Sequence, residues 1–479
     1  MLFNIHAERN GGADKIVLTY DNVTNELRAQ DGFLIENPSL LRKKWEDATI
    51  FSKEHPLVKS KLVKILKIQF GLSCNYSCSY CSQRFVERAD ETNKKDIEGF
   101  MRKLENLEFN EQDGLKVEFW GGEPLVYIKT IKPLLEELQK KFSSWEKKPH
   151  YSMITNGSLL TDELCDWLFK NHFSVAISHD GPGQHVRGPD PFDDPVVKDV
   201  ILRFYRRMRP LNRISFNSML NSSNRSRKEI FEWFVNLTGD PGVLLGEGGL
   251  IDAYDTDGLA NALTTKQEHF EFRQTAFKDI ATTGGAIGFT GILDKVDAFT
   301  NAILSHKPSR SLGQKCGMDD DNILAVDLKG NVITCQNVSA VSTAGNGMPH
   351  LGGNIVNMDS VKIRTATHWS NRPDCANCPV LHICQGSCMY LQEEYWDKSC
   401  DNAYSDAVAI FALSLEKITG YIPYLIEADH LPPERQDIWG WTLEHAEDEK
   451  KDLVSLRPVI QKKMVVEDVE VYTQAVVGE

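Results

Sequence analysis

Residues 65–81 read ILKIQFGLSCNYSCSYC, an alternating apolar run that ends in Gly-Leu-Ser and three cysteines at C-x3-C-x2-C spacing. The first half is a short strand, and the second half is a loop at its C-terminal end. The same plan recurs downstream. LKVEFWGG (115–122), HYSMITNG (150–157), FSVAISHDG (173–181), RISFNSML (213–220) and VLLGEGGLI (243–251) are five further β-rich runs. Amphipathic stretches separate them, among them DIEGFMRKLENL, IKTIKPLLEELQKKF, VKDVILRFYRRM and RKEIFEWFVNL. Strands alternating with helices predict a parallel sheet with crossover helices, here an α/β partial (β/α)6 barrel. Such folds keep their chemistry at the C-terminal strand ends, which is where GLSCNYSC, GGEP, TNG and SHDGP fall.

The rest of the chain limits the alternatives. It has 479 residues, 41% hydrophobic and 25% charged, with a formal net charge of −14 and a mean hydropathy of −0.35. This is ordinary globular composition, long enough for a barrel with appendages. The acidic balance disfavours nucleic acid, whose affinity rests on Lys and Arg displacing counterions. No run of eighteen or more apolar residues occurs and the N-terminus lacks a signal-peptide pattern, so no membrane association and a cytoplasmic location are expected. The eleven cysteines should then be reduced thiols. Ten of them are clustered, as metal ligands are, and Cys165 alone reads as a small buried hydrophobe.

Three thiols within eight residues, Cys74, Cys78 and Cys81, can hold three irons of a cubane and leave the fourth open. Structural zinc is the competing reading, but it needs four ligands, and no fourth Cys or His lies nearby. With Tyr80 as the aromatic before the last cysteine, the loop resembles that of the radical SAM family. The resemblance implies that the open iron chelates S-adenosylmethionine and that cleavage of the sulfonium yields a 5'-deoxyadenosyl radical. Gly121-Gly122-Glu123-Pro124, after Phe119-Trp120, is similar to the family's GGE motif, whose glutamate would hold the methionyl ammonium. Asn156 in Thr155-Asn156-Gly157, together with Ser178, Asp180 and Arg187, resembles the strand-end contacts to ribose and carboxylate. His179 stands where the family usually has an aliphatic residue, and a satisfied buried histidine is the expected reading of it.

A second series follows: Cys316, thirteen residues, Gly330, four residues, Cys335, then Cys375-x2-Cys378-x5-Cys384-x3-Cys388, and Cys400. In ILAVDLKGNVITC the Gly330 turn should join two strands and present Cys335. The series is similar to the SPASM extension of peptide-modifying radical SAM enzymes. That resemblance implies a first auxiliary cluster on Cys316, Cys335 and Cys388 and a second on Cys375, Cys378, Cys384 and Cys400, three 4Fe-4S clusters in all. Two departures stand out. Sulfatase maturases place a catalytic Asp after the hairpin cysteine, where this chain has Gln336, and an amide cannot serve as a carboxylate base. Some relatives also carry an eighth cysteine before the first. The stretch HKPSRSLGQ has none, so either a ligand such as His306 or Ser309 completes the cluster or one iron is open, the option favoured here.

The expected organisation is an N-terminal cap at 1–63, the barrel at 64–309, the SPASM domain at 310–405 and a C-terminal extension at 406–479. The cap reads as strand-turn-strand (15–32) followed by a polar helix over 40–54, too short for a winged helix but with an edge that a peptide strand could join. Residues 316–400 hold little apolar material of their own, and metal should supply their stability. After Cys400 an apolar-faced helix is expected, then a late strand at 466–477. The predicted function is a maturase that takes a hydrogen atom from a ribosomal precursor peptide and forms a carbon-carbon (cyclophane-like) or thioether cross-link, served by an external low-potential electron donor. Formylglycine formation, small-molecule dehydrogenation and a non-catalytic iron-sulfur redox protein are the rivals. The residue types name no catalytic base.

Overall fold

The computed structural model describes residues 1–252, 256–283, 289–391 and 393–441. The chain opens with strands β1 (Leu2–Arg9), β2 (Asp14–Asp21), β3 (Glu26–Arg28) and β4 (Leu34–Ile35), then a two-residue β5 (Leu57–Val58). Six strands follow: β6 (Ile65–Gln69), β7 (Lys116–Trp120), β8 (His150–Thr155), β9 (Ser174–Ser178), β10 (Ile214–Leu220) and β11 (Leu245–Leu250). All six are parallel and lie side by side in chain order, the expected partial barrel. Alternate residues such as Leu66, Ile68, Val117, Phe119, Val175, Ile177, Ile214 and Phe216 turn outward into one large core. Helices α1 (Ile97–Lys103), α2 (Ile128–Lys141), α3 (Asp162–Lys170), α4 (Pro195–Met208) and α5 (Arg227–Thr238) seal that face with residues such as Phe100, Leu134, Leu168, Phe204 and Phe234. Side chains that alternate across a strand leave the other set facing the barrel interior.

Beyond β6 the sheet continues with β12 (Ile323–Asp327), parallel to it, then β13 (Asn331–Ile333) and β14 (Leu351–Asn354), both antiparallel to their neighbours. The expected hairpin is therefore present, and it extends the barrel sheet. Gly330 turns it at φ 75°, a conformation that strains any residue with a Cβ, and the Asp327 side chain accepts from the amides of Lys329 and Asn331 (2.8 and 3.0 Å). The cysteine-rich segment also has more core than its composition suggests. Met318, Ala325, Ile333, Val338 and Met389 pack with Phe51 and Leu57, which the N-terminal segment contributes.

β15 (Lys362–Ile363) pairs with β5, and β16 (Ile422–Glu427) returns to pair antiparallel with β1. The N-terminal sheet thus runs β16-β1-β2-β3-β4, with the outer edge of β1 already taken. The helix expected at 40–54 is not there: the segment is irregular, pinned by the Ala48 amide to Arg310 O (2.8 Å) and by buried Phe51 against His368. Its few apolar side chains find partners on the cysteine-rich segment, and no helical face forms. Three longer helices, α6 (Lys266–Thr283), α7 (Thr290–Leu304) and α8 (Glu393–Thr419), complete the described molecule, and α8 packs on both of the others. The helix expected after Cys400 is part of α8, which starts before that cysteine and is buried from Val408 to Ala412 on every side. The strand expected at 466–477 lies outside the described residues. Among the described residues no helix is long and apolar enough to cross a membrane.

Candidate active site

The cysteine loop leaves the end of β6 and is tied to the end of β7 by backbone. The amides of Gly122 and Glu123 donate to Gly71 O and Ser73 O (3.1 and 3.0 Å), and the Ser73 amide donates to Tyr127 Oη (2.8 Å). A Cβ on Gly122 would stand 2.5 Å from Leu72 O and 2.6 Å from Ser73 O, so only glycine lets the two loops meet. Glu123 follows, 2% exposed. Its Oε1 accepts from the Leu125 amide (3.0 Å) and the Thr155 hydroxyl (2.7 Å), and its Oε2 from the Asn156 amide (2.7 Å). Burial raises its pKa against the pull of these donors. The carboxylate therefore latches the ends of β7 and β8 together, and Oε2 keeps acceptor capacity. Asn156 reaches the cysteine loop itself, donating to Asn75 Oδ1 (2.9 Å).

Across the mouth, Tyr80 donates to Asp180 Oδ2 (2.6 Å) and accepts from Arg187 Nη1 (2.9 Å), while the Met219 amide donates to Asp180 Oδ1 (2.8 Å). Burial alone would lower the Arg187 pKa, but Tyr80, Asp180 and Cys78 outweigh it and hold the guanidinium firmly charged. Its Nε is buried without a partner. His179 is fully buried, with Nε2 on Asp190 (3.0 Å) and Nδ1 accepting from the Gly181 amide (3.0 Å), the satisfied histidine that was expected. Cys165 is likewise buried, on α3.

One cavity of about 270 Å³ collects these groups. The thiol-bearing Cys74, Cys78 and Cys81 line it with Tyr80, Gly121, Gly122, Glu123, Asn156, Ser178 and Arg187. Asp180 and Pro124 do not: Asp180 braces Tyr80 and Arg187 from behind, and Pro124 starts the turn after Glu123. Trp120, which leads into the Gly-Gly-Glu turn, also lines the cavity, as do Ile154, Arg84, Arg88 and Asn337, none of which was singled out in the sequence. Burial raises the Cys74 pKa and lifts that of Cys78 to about 11, so these thiols need a cation to become thiolates. Among the described residues no three Cys, His, Asp or Glu converge on a point that would take a single ion. Thiols on separate irons of a cubane are spread more widely than that, and the three-thiol loop with an orphaned Arg187 donor and a carboxylate opposite fits a cluster with an amino-acid ligand.

Residues 68–243 match the Radical SAM superfamily. The chain carries a radical SAM domain. That domain implies one 4Fe-4S cluster and S-adenosylmethionine. Among similar proteins, the radical SAM cyclopropyl synthase TigE of Paramaledivibacter caminithermalis is 24% identical over 371 residues, 71% of this chain and 72% of that protein. The cysteine-type anaerobic sulfatase-maturating enzyme of Clostridium perfringens is 25% identical over 354 residues, 69% of this chain and 90% of that one. Native anSMEcpe, solved with bound AdoMet and Cp18Cys peptide, shares the fold at a TM-score of 0.52 and 19% identity, covering 74% of this chain and 99% of its own. The protein is a radical SAM enzyme related to both kinds.

Outside the radical SAM domain the other cysteines gather in two groups. Cys375, Cys378, Cys384 and Cys400 line one cavity with Trp396, Tyr404 and Arg435, whose Nη2 lies 3.5 Å from Cys400 Sγ. Cys316 and Cys388 stand close enough to Cys335 to oppose its ionisation, and Cys316 also opposes that of Cys388. Burial first, and then neighbouring thiols, lift Cys335, Cys375 and Cys388 to about 12 and Cys400 to about 11. Thiol sets of this kind stay protonated unless a metal group compensates them, which fits iron-sulfur ligation. His306 faces Glu36 at 3.9 Å, and the Ser309 amide donates to Val23 O (2.8 Å). Gln336 follows Cys335 as an amide, and its backbone carbonyl accepts from Gln69 Nε2 (2.6 Å).

Proposed function

We propose that this radical SAM enzyme is a maturase of a ribosomally made precursor peptide and forms an intramolecular carbon-carbon or thioether cross-link. The observation that carries the reading is the cavity in which the three-thiol loop faces Glu123, Asn156, Ser178 and Arg187, in a chain that also gathers seven further cysteines into two groups. Relatives named for cyclopropyl synthesis and sulfatase maturation, and a same-fold structure with a bound peptide, support a peptide substrate. Gln336 supports cross-linking over formylglycine formation, because its amide cannot act as a base.

In this reading Cys74, Cys78 and Cys81 hold the first 4Fe-4S cluster, Cys316, Cys335 and Cys388 a second with one open iron, and Cys375, Cys378, Cys384 and Cys400 a third. When bound, these groups and S-adenosylmethionine supply a 5'-deoxyadenosyl radical and a sink for one electron. The chain's own residues orient the ligand. Glu123 Oε2 accepts from the methionyl ammonium, Arg187 Nε donates to the carboxylate, and Asn156 and Ser178 meet the ribose. Asp180 acts through Tyr80 and Arg187 as a positioning residue. The peptide loses a hydrogen atom to the radical, giving 5'-deoxyadenosine, then a proton and an electron as the new bond closes, so that two hydrogens leave in all. An external low-potential donor starts each turnover.

Coexpression with a small open reading frame encoded beside this gene tests the reading. The isolated peptide should be lighter by two hydrogens and resist linear fragmentation within the cross-linked ring. A product lighter by two hydrogens that fragments as a linear chain would reject the cross-link in favour of dehydrogenation.

A further inference from the structure

The interior of the barrel is polar. Register places Lys67, Glu118, Ser152 and Ser174 in one row across β6 to β9, all facing inward. In a closed (β/α)8 barrel these positions are filled by packed branched side chains. Here they surround a cavity of about 460 Å³ that extends to Lys116 and Arg213 at the N-terminal strand ends. Trp120 and Ile154 line both this chamber and the thiol-lined cavity above it, so the two share a wall. On its other flank Gln69, two residues beyond Lys67 and on the same face of β6, donates to Gln336 O (2.6 Å), next to Cys335. The chamber thus lies between the site of radical formation and the first auxiliary thiol group.

Its charge is unbalanced. The Glu118 carboxylate meets the Lys116 ammonium at 2.7 Å, the Trp120 indole N–H at 2.9 Å and the Lys67 ammonium at 3.2 Å. Lys67 and Glu118 are only 14% and 12% exposed, whereas Lys116 stands at the chamber's rim, 42% exposed. Two ammonium groups with three donors each therefore share one carboxylate, inside a chain whose net charge is −14. For Lys67, the secluded one of the two, sharing its carboxylate is costly until a second anion arrives. Small neighbours, Ser152, Ser174 and Ala176, leave room for it.

We infer that this chamber is a substrate subsite for a peptide carboxylate, held by Lys67 and Lys116, from which the peptide leads past Trp120 and Ile154 to place a neighbouring residue in the thiol-lined cavity. The inference rests on the peptide reading given above. A carboxylate there comes from an Asp or Glu side chain or from the peptide's C-terminus.

The test uses anaerobically reconstituted holoenzyme with S-adenosylmethionine and three probes, titrated by saturation-transfer NMR: acetyl-Gly-Gly-Glu-Gly-Gly-amide, its Gln counterpart, and acetyl-pentaglycine with a free carboxylate. A carboxylate probe should bind at least about tenfold more tightly than the Gln peptide, as a charge-assisted contact requires, and the tighter of the two identifies the source. Lys67→Met with Lys116→Met should abolish the preference, with iron content checking that the variant is folded. Glu118→Gln should strengthen it, an opposite sign that damage to the fold cannot mimic. Equal binding of the three probes, a preference that survives the double lysine change, or a weaker preference in Glu118→Gln would overturn the inference. 5'-Deoxyadenosine is measured in the same wild-type samples. Its presence without a carboxylate preference rejects the subsite alone, and its absence alongside a preference rejects the radical reading while leaving the subsite.

Discussion

Replacing Glu123 by Gln separates two roles that share one carboxylate. In the native site both oxygens are occupied: Oε1 by the Leu125 amide and Thr155 hydroxyl, Oε2 by the Asn156 amide. A glutamine places its NH2 against one of the two backbone amides whichever way it is turned, and leaves that buried donor without an acceptor. The cost is about 1–3 kcal/mol of stability, visible as a lower urea midpoint at unchanged slope. The second loss is in ligand binding. The proposed contact to the methionyl ammonium becomes neutral, and at roughly 1.5–3 kcal/mol for a charge-assisted bond, S-adenosylmethionine affinity should fall about tenfold to a hundredfold. Iron content should stay near the wild-type level, since no iron is bound through Glu123. Equilibrium binding under anaerobic conditions, with iron analysis of the same sample, reads both. A lower urea midpoint with unaltered S-adenosylmethionine affinity would show that Glu123 is only a latch between β7 and β8, and the clamp assignment would be wrong.

Gly122→Ala forces a Cβ to within 2.5 Å of Leu72 O, where backbone must move, so the cysteine loop should be displaced and about four irons lost; full iron loading would refute the tight junction. Glu416 on α8 is buried with Oε2 unpartnered, and burial pushes its pKa up to about 8. An acid whose folded pKa is raised adds stability below its unfolded value, near 4.5, and loses it as pH rises through about 8. Glu416→Gln should therefore flatten the fall in melting temperature between about pH 5 and 8 and stabilise the protein most at the upper end, by up to a few kcal/mol. Parallel melting curves for the two proteins across that range would contradict it.

The barrel was legible because its signals are local. Most of the six strands alternate in hydrophobicity, crossover helices such as α2 and α4 carry an apolar stripe, and Gly330 sits where a tight hairpin needs a positive φ. The thiol loop and the Gly-Gly-Glu turn are likewise short motifs at strand ends. What was not legible depends on contacts distant in the chain. β1 is paired by β16 across more than 400 residues, and no pattern within Leu2–Arg9 announces that partner. The segment 40–54 has charged residues at helix-compatible spacing, yet Trp45, Ala48 and Phe51 are each anchored elsewhere and no helix forms. Glu123 was read as a ligand clamp, but its bonds to Thr155 and Asn156 come from the neighbouring strand end. Nothing in the local pattern around Lys67 and Glu118 shows which face of the sheet they take. Only the curvature of the sheet turns them inward.

Iron and 5'-deoxyadenosine, measured together in wild type and in Cys74→Ala/Cys78→Ala/Cys81→Ala, test the central claim most directly. Wild-type protein reconstituted anaerobically should hold about twelve irons and release 5'-deoxyadenosine on reduction, whereas the triple variant should hold about eight and release none. Undiminished S-adenosylmethionine cleavage by the triple variant would contradict the account at its root.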